Sequence, residues 1–306
     1  MITDPLAPLA ELPGVADAVA RARAACEELR WHEAFRRRWR EVRAEATVRS
    51  ARASAALEGA RVPVDVLRDA ARGAAPVPPG AEARLAFGAL RAAAEVERLM
   101  PALGARDRAA GPPFGQLLAR LHTAATAGLV DGSPSGGSGA GAGPGAGARD
   151  GGAPEVGRPR GDAQPRDLAG LGPAPSGSEV AARLDMLGEL VRTSKAPTLV
   201  LAGVVHGELL ALRPFTVGSG VVARAASRLL VAERGLDPTG AVVADIAWLG
   251  SVNAYLGAAA GFATGTPAGV AAWLVACADA VRTGADEGRA IADAVLAGRL
   301  DDPSGA

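Results

Sequence analysis

Apolar residues recur at three- and four-residue intervals along most of the chain, and the intervals break where proline and glycine cluster. This periodicity predicts helices over about 14–30, 31–60, 63–72, 81–100, 114–128, 178–194, 198–212, 219–234, 241–263, 267–282 and 285–299. Gly59 follows the second segment as a helix-ending residue does, and Pro63 opens the third. No stretch shows the two-residue alternation of a half-buried strand, so the predicted fold class is all-α. In the second segment Trp31, Phe35 and Trp39 stand at four-residue spacing around Arg36, Arg37 and Arg38. Such spacing predicts one packed aromatic stripe with the arginines on a solvated face, in preference to a nucleic-acid contact.

Two of the most apolar patterns meet at a short loop. Leu199, Val200, Val204, Val205, Leu209 and Leu212 lead into Arg213–Gly220, and Val221, Val222, Ala225, Leu229 and Leu230 follow it. Pro214 stops the first helix, and Gly218 and Gly220 permit a tight turn. A glycine-rich turn that opens a helix aims free N–H groups at one point, which suits a phosphate. An ordinary helix–helix connection satisfies the same residues.

Composition narrows the partners. Apolar residues make up 49% of the 306 positions but aromatics only 3%, so the predicted core is helices packed closely through small side chains. A formal net charge of zero gives no argument for bulk nucleic-acid binding, and no nucleic-acid partner is expected. Cys26 and Cys277 are too few for a disulfide framework, and no basic segment followed by an apolar run opens the chain; a cytoplasmic location is expected. The most apolar span, 196–212, is short and is interrupted by His206 and Glu208, so no membrane span is expected. His32, His122 and His206 lack metal-ligand spacing, so no metal site is expected. His206 reads as a packing histidine or, less simply, a base near the loop. Residues 131–153 are almost wholly Gly, Ala, Ser and Pro, and 154–177 stay rich in Pro and Gly, so 131–177 reads as a low-complexity insertion with order returning near Ser178.

The twelve residues Arg213–Arg224, RPFTVGSGVVAR, resemble the signature of the Fic (Fido) family, His-Pro-Phe-x-Asp/Glu-Gly-Asn-Gly-Arg-x-x-Arg. Pro214, Phe215, Gly218, Gly220 and Arg224 match it. LARLHTAATAG at 118–128, Gly157-Arg158-Pro159-Arg160, Gly172–Pro175 and 253–281 resemble further family segments, so the likeness covers roughly 45–285. The resemblance implies a Fic-like helical bundle over 81–300, an N-terminal helical region over 1–80, the 131–177 insertion and a 301–306 tail. It also implies transfer of AMP from ATP to a protein hydroxyl, with Gly218, Ser219, Gly220 and Arg224 around the nucleotide.

The departures fall on the chemistry. Arg213 stands at the family's histidine, and a guanidinium stays protonated, so it cannot be a general base. Val217 stands at the acidic position and offers Mg²⁺ no oxygen; Ser219 and Val221 replace an asparagine and an arginine. ATP remains a candidate ligand, Mg²⁺ does not, and no catalytic residue is intact. Arg224 reads as a ligand arginine or a structural ion pair. Ser54, Glu58 and Gly59 resemble the family's inhibitory motif, which implies a Glu58–Arg224 contact across 166 positions. The family docks its protein target near 161–170, where no strand alternation is visible. The implied role is an inactive nucleotide- or partner-binding regulator with an unidentified protein partner and an open oligomeric state. A second reading is open: Gly218–Ala223 also fits G-x-G-x-x-A, the fingerprint of dinucleotide-dependent oxidoreductases, which requires a preceding strand.

Overall fold

The structure is a computed structural model that describes residues 4–104, 111–129 and 156–300. The low-complexity run 131–153 and the 301–306 tail lie outside them. Twelve α-helices are described: α1 (Ala7–Ala10), α2 (Val15–Arg30), α3 (Trp39–Leu57), α4 (Val64–Ala71), α5 (Ala81–Leu99), α6 (Phe114–Thr126), α7 (Gly177–Thr193), α8 (Thr198–Leu212), α9 (Ser219–Glu233), α10 (Asp245–Gly250), α11 (Val252–Ala263) and α12 (Pro267–Leu296). Among the described residues there is no β-strand, and no helix is long and apolar enough to cross a membrane.

Helix α8 is the centre of the bundle. It is apolar on every side, and only Thr198 and Glu208 are not buried, which is the pattern of a helix enclosed by others. α9 packs along it, α11 and α12 cover it, and α7 flanks it. α2 lies along α12, and α3, α5 and α6 close the other side of α9. Leu209, Leu210, Leu212, Leu229, Leu274 and Trp273 fill the space between these helices with almost no exposure. A second apolar cluster joins α3, α4 and α5 through Val48, Ala51, Leu67, Ala86 and Phe87.

Three predicted elements are corrected. The segment 31–60 is not one helix: a 3₁₀ turn at Glu33–Arg36 precedes a break at Arg37 and Arg38, whose backbones leave the helical region. The aromatics therefore do not form a stripe. Trp31 is 73% exposed, Phe35 is buried, and Trp39 lies under the guanidinium groups of Arg40 and Arg43. Arg38 is not free in solvent either, since it donates to Val295 O and pairs with Glu41. The predicted helix 241–263 is an extended stretch followed by α10 and α11, broken at Ser251. Conversely, 267–282 and 285–299 are one 30-residue helix, α12. Gly284 reads as a breaker in the sequence, but its missing Cβ has another use. A Cβ there would lie 2.6 Å from Ala244 N, so glycine lets the 241–244 segment lie on α12, where the Val243 amide donates to Gly284 O.

The fourth correction concerns 156–176. This stretch reads as linker in the sequence yet is bonded to the loop between α8 and α9. The Arg160 amide donates to Pro214 O and the Arg166 amide to Thr216 O, each at 2.8 Å. The Arg160 side chain is itself buried and reaches the carbonyls of Arg213 (2.8 Å), Ala163 (2.8 Å) and Pro175 (2.6 Å). Order thus returns well before Ser178.

Candidate functional site

The site is assembled on the α8–α9 loop from three directions. Arg213 caps α8 in the left-handed conformation, φ 45° and ψ 64°, which a side chain adopts at a cost of about 1 kcal/mol. Its guanidinium compensates by donating to Gly172 O at 2.9 Å, Leu168 O at 3.4 Å and Pro173 O at 2.8 Å. Arg213 is 3% exposed, and burial lowers its pKa, but no lone pair is thereby offered to a substrate.

From α6, the His122 ring stacks on Phe215 with centroids 3.9 Å apart and planes 4° from parallel. The Gly157 amide donates to its Nδ1 at 2.9 Å, so Nε2 carries the proton and donates to Val217 O at 3.2 Å. Burial pushes His122 down to about 4, so it is neutral and holds the loop from below.

The turn itself follows from Gly218, whose φ of 80° only glycine adopts without strain. The Ser219 hydroxyl was expected to face a ligand. It is instead fully buried, accepting from the Phe215 amide at 3.2 Å and donating to Phe215 O at 3.1 Å, so it closes the loop and is not free as a ligand donor. Its amide does point outward from the start of α9, and what it meets is the Asp167 carboxylate, Oδ2 at 3.0 Å. Burial, with the Glu58 charge second, pushes Asp167 up to about 6 against the pull of the Ser219 and Gly218 amides.

One turn into α9, Arg224 is buried and meets α3. Its Nη2 donates to Glu58 Oε1 at 2.7 Å and to Ser54 O at 3.0 Å, and its Nε donates to Ser54 Oγ at 2.8 Å. Asp245 Oδ1 lies 3.7 Å from Nε, and the Tyr255 hydroxyl accepts from Nη1 at 3.4 Å. Burial works against the charge of Arg224, but Tyr255, Glu58 and Asp245 together hold its pKa above the usual arginine value. The expected contact between Glu58 and Arg224 is therefore present in the geometry. Gly220 makes room for it, since a Cβ there would be 2.2 Å from Glu58 Oε1. Gly59, φ 91°, turns the chain away just after Glu58. His206 does not reach the loop: it is buried against Trp248 and Trp273 and shares a 2.9 Å hydrogen bond with Tyr255.

Asp167, Asp245 and Tyr255 were not expected at the site. Tyr255 is the only tyrosine of the chain, which is a composition signal without a location. Among the described residues no group of three or more His, Cys, Asp or Glu is placed to hold a metal. Helix α8 precedes Gly218, so the strand that a dinucleotide fingerprint needs is not there.

Fold and site define an all-helical protein in which a glycine turn starts a helix whose free amides and first arginine face carboxylates of the same chain. The sequence matches no family model and no curated protein. Solved structures are more informative. A Fic family protein from Desulfovibrio desulfuricans G20 superposes with a TM-score of 0.63 at 19% identity, over 89% of this chain and 74% of that one. A fragment of Fic-1 from C. elegans gives 0.63 at 15% identity over 90% and 72%, and a variant of that fragment 0.58 at 14% over 92% and 73%. The chain has the all-α fold of Fic family proteins.

Proposed function

We propose that this Fic-fold protein is a nucleotide-binding regulator that does not transfer AMP. One observation carries the reading: the residue at the head of the loop, Arg213, is clamped to three backbone carbonyls and has no lone pair with which to take a proton from a hydroxyl. General base catalysis contributes about 10²–10⁴-fold, Arg213 cannot supply it, and the Asp167 carboxylate is engaged by the Ser219 amide. His122 is the nearest histidine to the loop, and both of its nitrogens are engaged.

A ligand site is supported by different residues. The α9 amides are met by a carboxylate, so an anion fits them, and Arg224 is a second anion partner one turn further on. ATP is the ligand this arrangement favours. Mg²⁺ does not fit, because Val217 supplies no oxygen where the resemblance implies a ligand. Glu58 occupies Arg224 and so closes the site; Ser54 binds the same guanidinium, and Gly59 turns the chain just after Glu58. A protein partner that reads the open or closed state, and a cytoplasmic location, belong to the same reading.

Calorimetry with ATP tests it. Wild type is expected to give little or no binding heat and Glu58→Gly clear heat, with Mg²⁺ changing the affinity by no more than about twofold. No labelled AMP is expected on any co-purified protein with either form. Heat from neither form would leave a partner-binding scaffold, and AMP transfer that depends on Arg224 would sink the inactive reading.

A further inference from the structure

We propose that the Asp167 carboxylate is a tethered occupant of the α9 amides, and that an anionic ligand has to displace it to enter. The inference rests on the anion-site reading above and names its second latch. Glu58 guards the arginine, and Asp167 guards the amides.

Three observations carry it. First, Asp167 Oδ2 lies 3.0 Å from the Ser219 amide at the start of a 15-residue helix, where the backbone dipoles favour negative charge. The carboxylate comes from 52 residues away in sequence. A cap serving the helix alone is ordinarily the side chain of the residue before it, and that residue is Gly218. Second, the segment that carries Asp167 is clamped on both sides of it. The Arg160 and Arg166 amides bond to Pro214 O and Thr216 O, and the Arg213 side chain holds Gly172 O and Pro173 O. The carboxylate is therefore delivered to the amides by a docked strap. Third, Asp167 Oδ1 is buried and no hydrogen-bond partner is found for it among the described residues. A carboxylate held with one oxygen unserved is a poorer fit than a phosphate-like group and can be displaced.

The charged surroundings set how firmly the occupant is held. Glu58 on α3 repels Asp167, and Arg213 on the loop attracts it. His122 on α6, which meets the loop at Val217, is neutral, as is Tyr255 on α11. Arg224 and Asp245 are committed to the Glu58 side of the site. Asp167 is pushed up to about 6 by this burial and by Glu58, so it is ionised at neutral pH and loses its charge in mild acid. The charge that holds the carboxylate on the amides is therefore lost in acid and present at neutral pH.

The test follows the Ser219 amide by nitrogen-15 NMR while sulfate, whose charge does not change between about pH 5 and 8, is added to Glu58→Gly, Glu58→Gly/Asp167→Ala and Glu58→Gly/Asp167→Asn. At pH 8 half-saturation is expected at least about tenfold lower in sulfate when Asp167 is replaced. The gap is expected to narrow as pH falls and Asp167 takes up a proton. Asn keeps the shape without the charge, so it covers the case in which Ala fails to fold. Equal half-saturation at pH 8 with and without Asp167 overturns the inference. ATP calorimetry on the same proteins separates it from the reading beneath. If sulfate responds to Asp167 but no variant binds ATP, the tethered occupant stands and the nucleotide reading falls; ATP bound equally with and without Asp167 keeps the nucleotide and overturns the occupant.

Discussion

Arg224→Met is expected to lower the thermal midpoint by on the order of 10 °C. The guanidinium is buried and makes five contacts: Glu58 Oε1, Ser54 O, Ser54 Oγ, the Tyr255 hydroxyl and Asp245 at 3.7 Å. Methionine fills much of the volume but none of these roles. Glu58, whose side chain is 13% exposed, is then left without its cation, and Asp245, 8% exposed, keeps only the Arg228 charge and the Ser50 hydroxyl. Breaking a buried pair from one side costs about 3–5 kcal/mol. For a domain of this size each 1 kcal/mol moves the midpoint by about 2–4 °C.

The double variant Glu58→Gln/Arg224→Met separates this mechanism from simple loss of packing. It removes one orphaned carboxylate and is expected to recover part of the loss. Glu58→Gly alone is expected to cost less than Arg224→Met, because Arg224 keeps Ser54, Asp245 and Tyr255. Scanning calorimetry reads all three. An Arg224→Met midpoint within a degree or two of wild type would mean that the Glu58–Arg224 pair contributes no net stability to this fold.

The pair also marks the limit of what the sequence discloses. Helices α2 and α4–α9 were readable to within a few residues, because their apolar stripes are regular and Pro or Gly stands at their ends. The break at Arg37 and Arg38 has neither residue; it is accompanied by a tertiary contact of Arg38 with Val295 and a local pair with Glu41. Gly284 misled in the opposite sense, since a glycine can serve close packing inside a helix as well as end one. Composition marked 154–177 as linker, but composition does not register that Arg160 spends its donors on loop carbonyls. Glu58 and Arg224 have no local signal that joins them, and only the family-like frame placed them together. Asp167 has no signal at all in GDAQPRDLAG; it matters because of where the strap puts it. The Ser219 hydroxyl shows the converse, a plausible ligand donor in the sequence that the loop uses for its own closure.

Stability is expected to fall as pH drops from about 6.5 to about 4. Burial pushes His122 to about 4 and His206, where Arg224 adds to the effect, to about 3, against 6.5 for an unburied histidine. The unfolded chain therefore binds protons that the folded chain refuses, and stability is lost as pH falls below 6.5. Each such proton is worth about 1.4 kcal/mol per pH unit across its window. Asp167 has the opposite sign. Its folded value is raised from 3.8 to about 6, so between these the folded state holds a proton the unfolded state has released, and stability rises as pH falls. Asp167 thus opposes one of the two histidines, leaving about one net proton, or about 1.4 kcal/mol per pH unit, and Asp245, also raised by burial, opposes in the same sense. Asp167→Asn removes that opposition, so its midpoint is expected to fall more steeply with acid than wild type. His206→Gln, which keeps a donor for Tyr255, is expected to flatten the curve by about one proton. Thermal midpoints from pH 7.5 to 4.5 measure both slopes. Profiles that stay flat over that range in both wild type and Asp167→Asn would show that neither histidine is held neutral, and with it that His122 does not pin the loop through a fixed proton on Nε2.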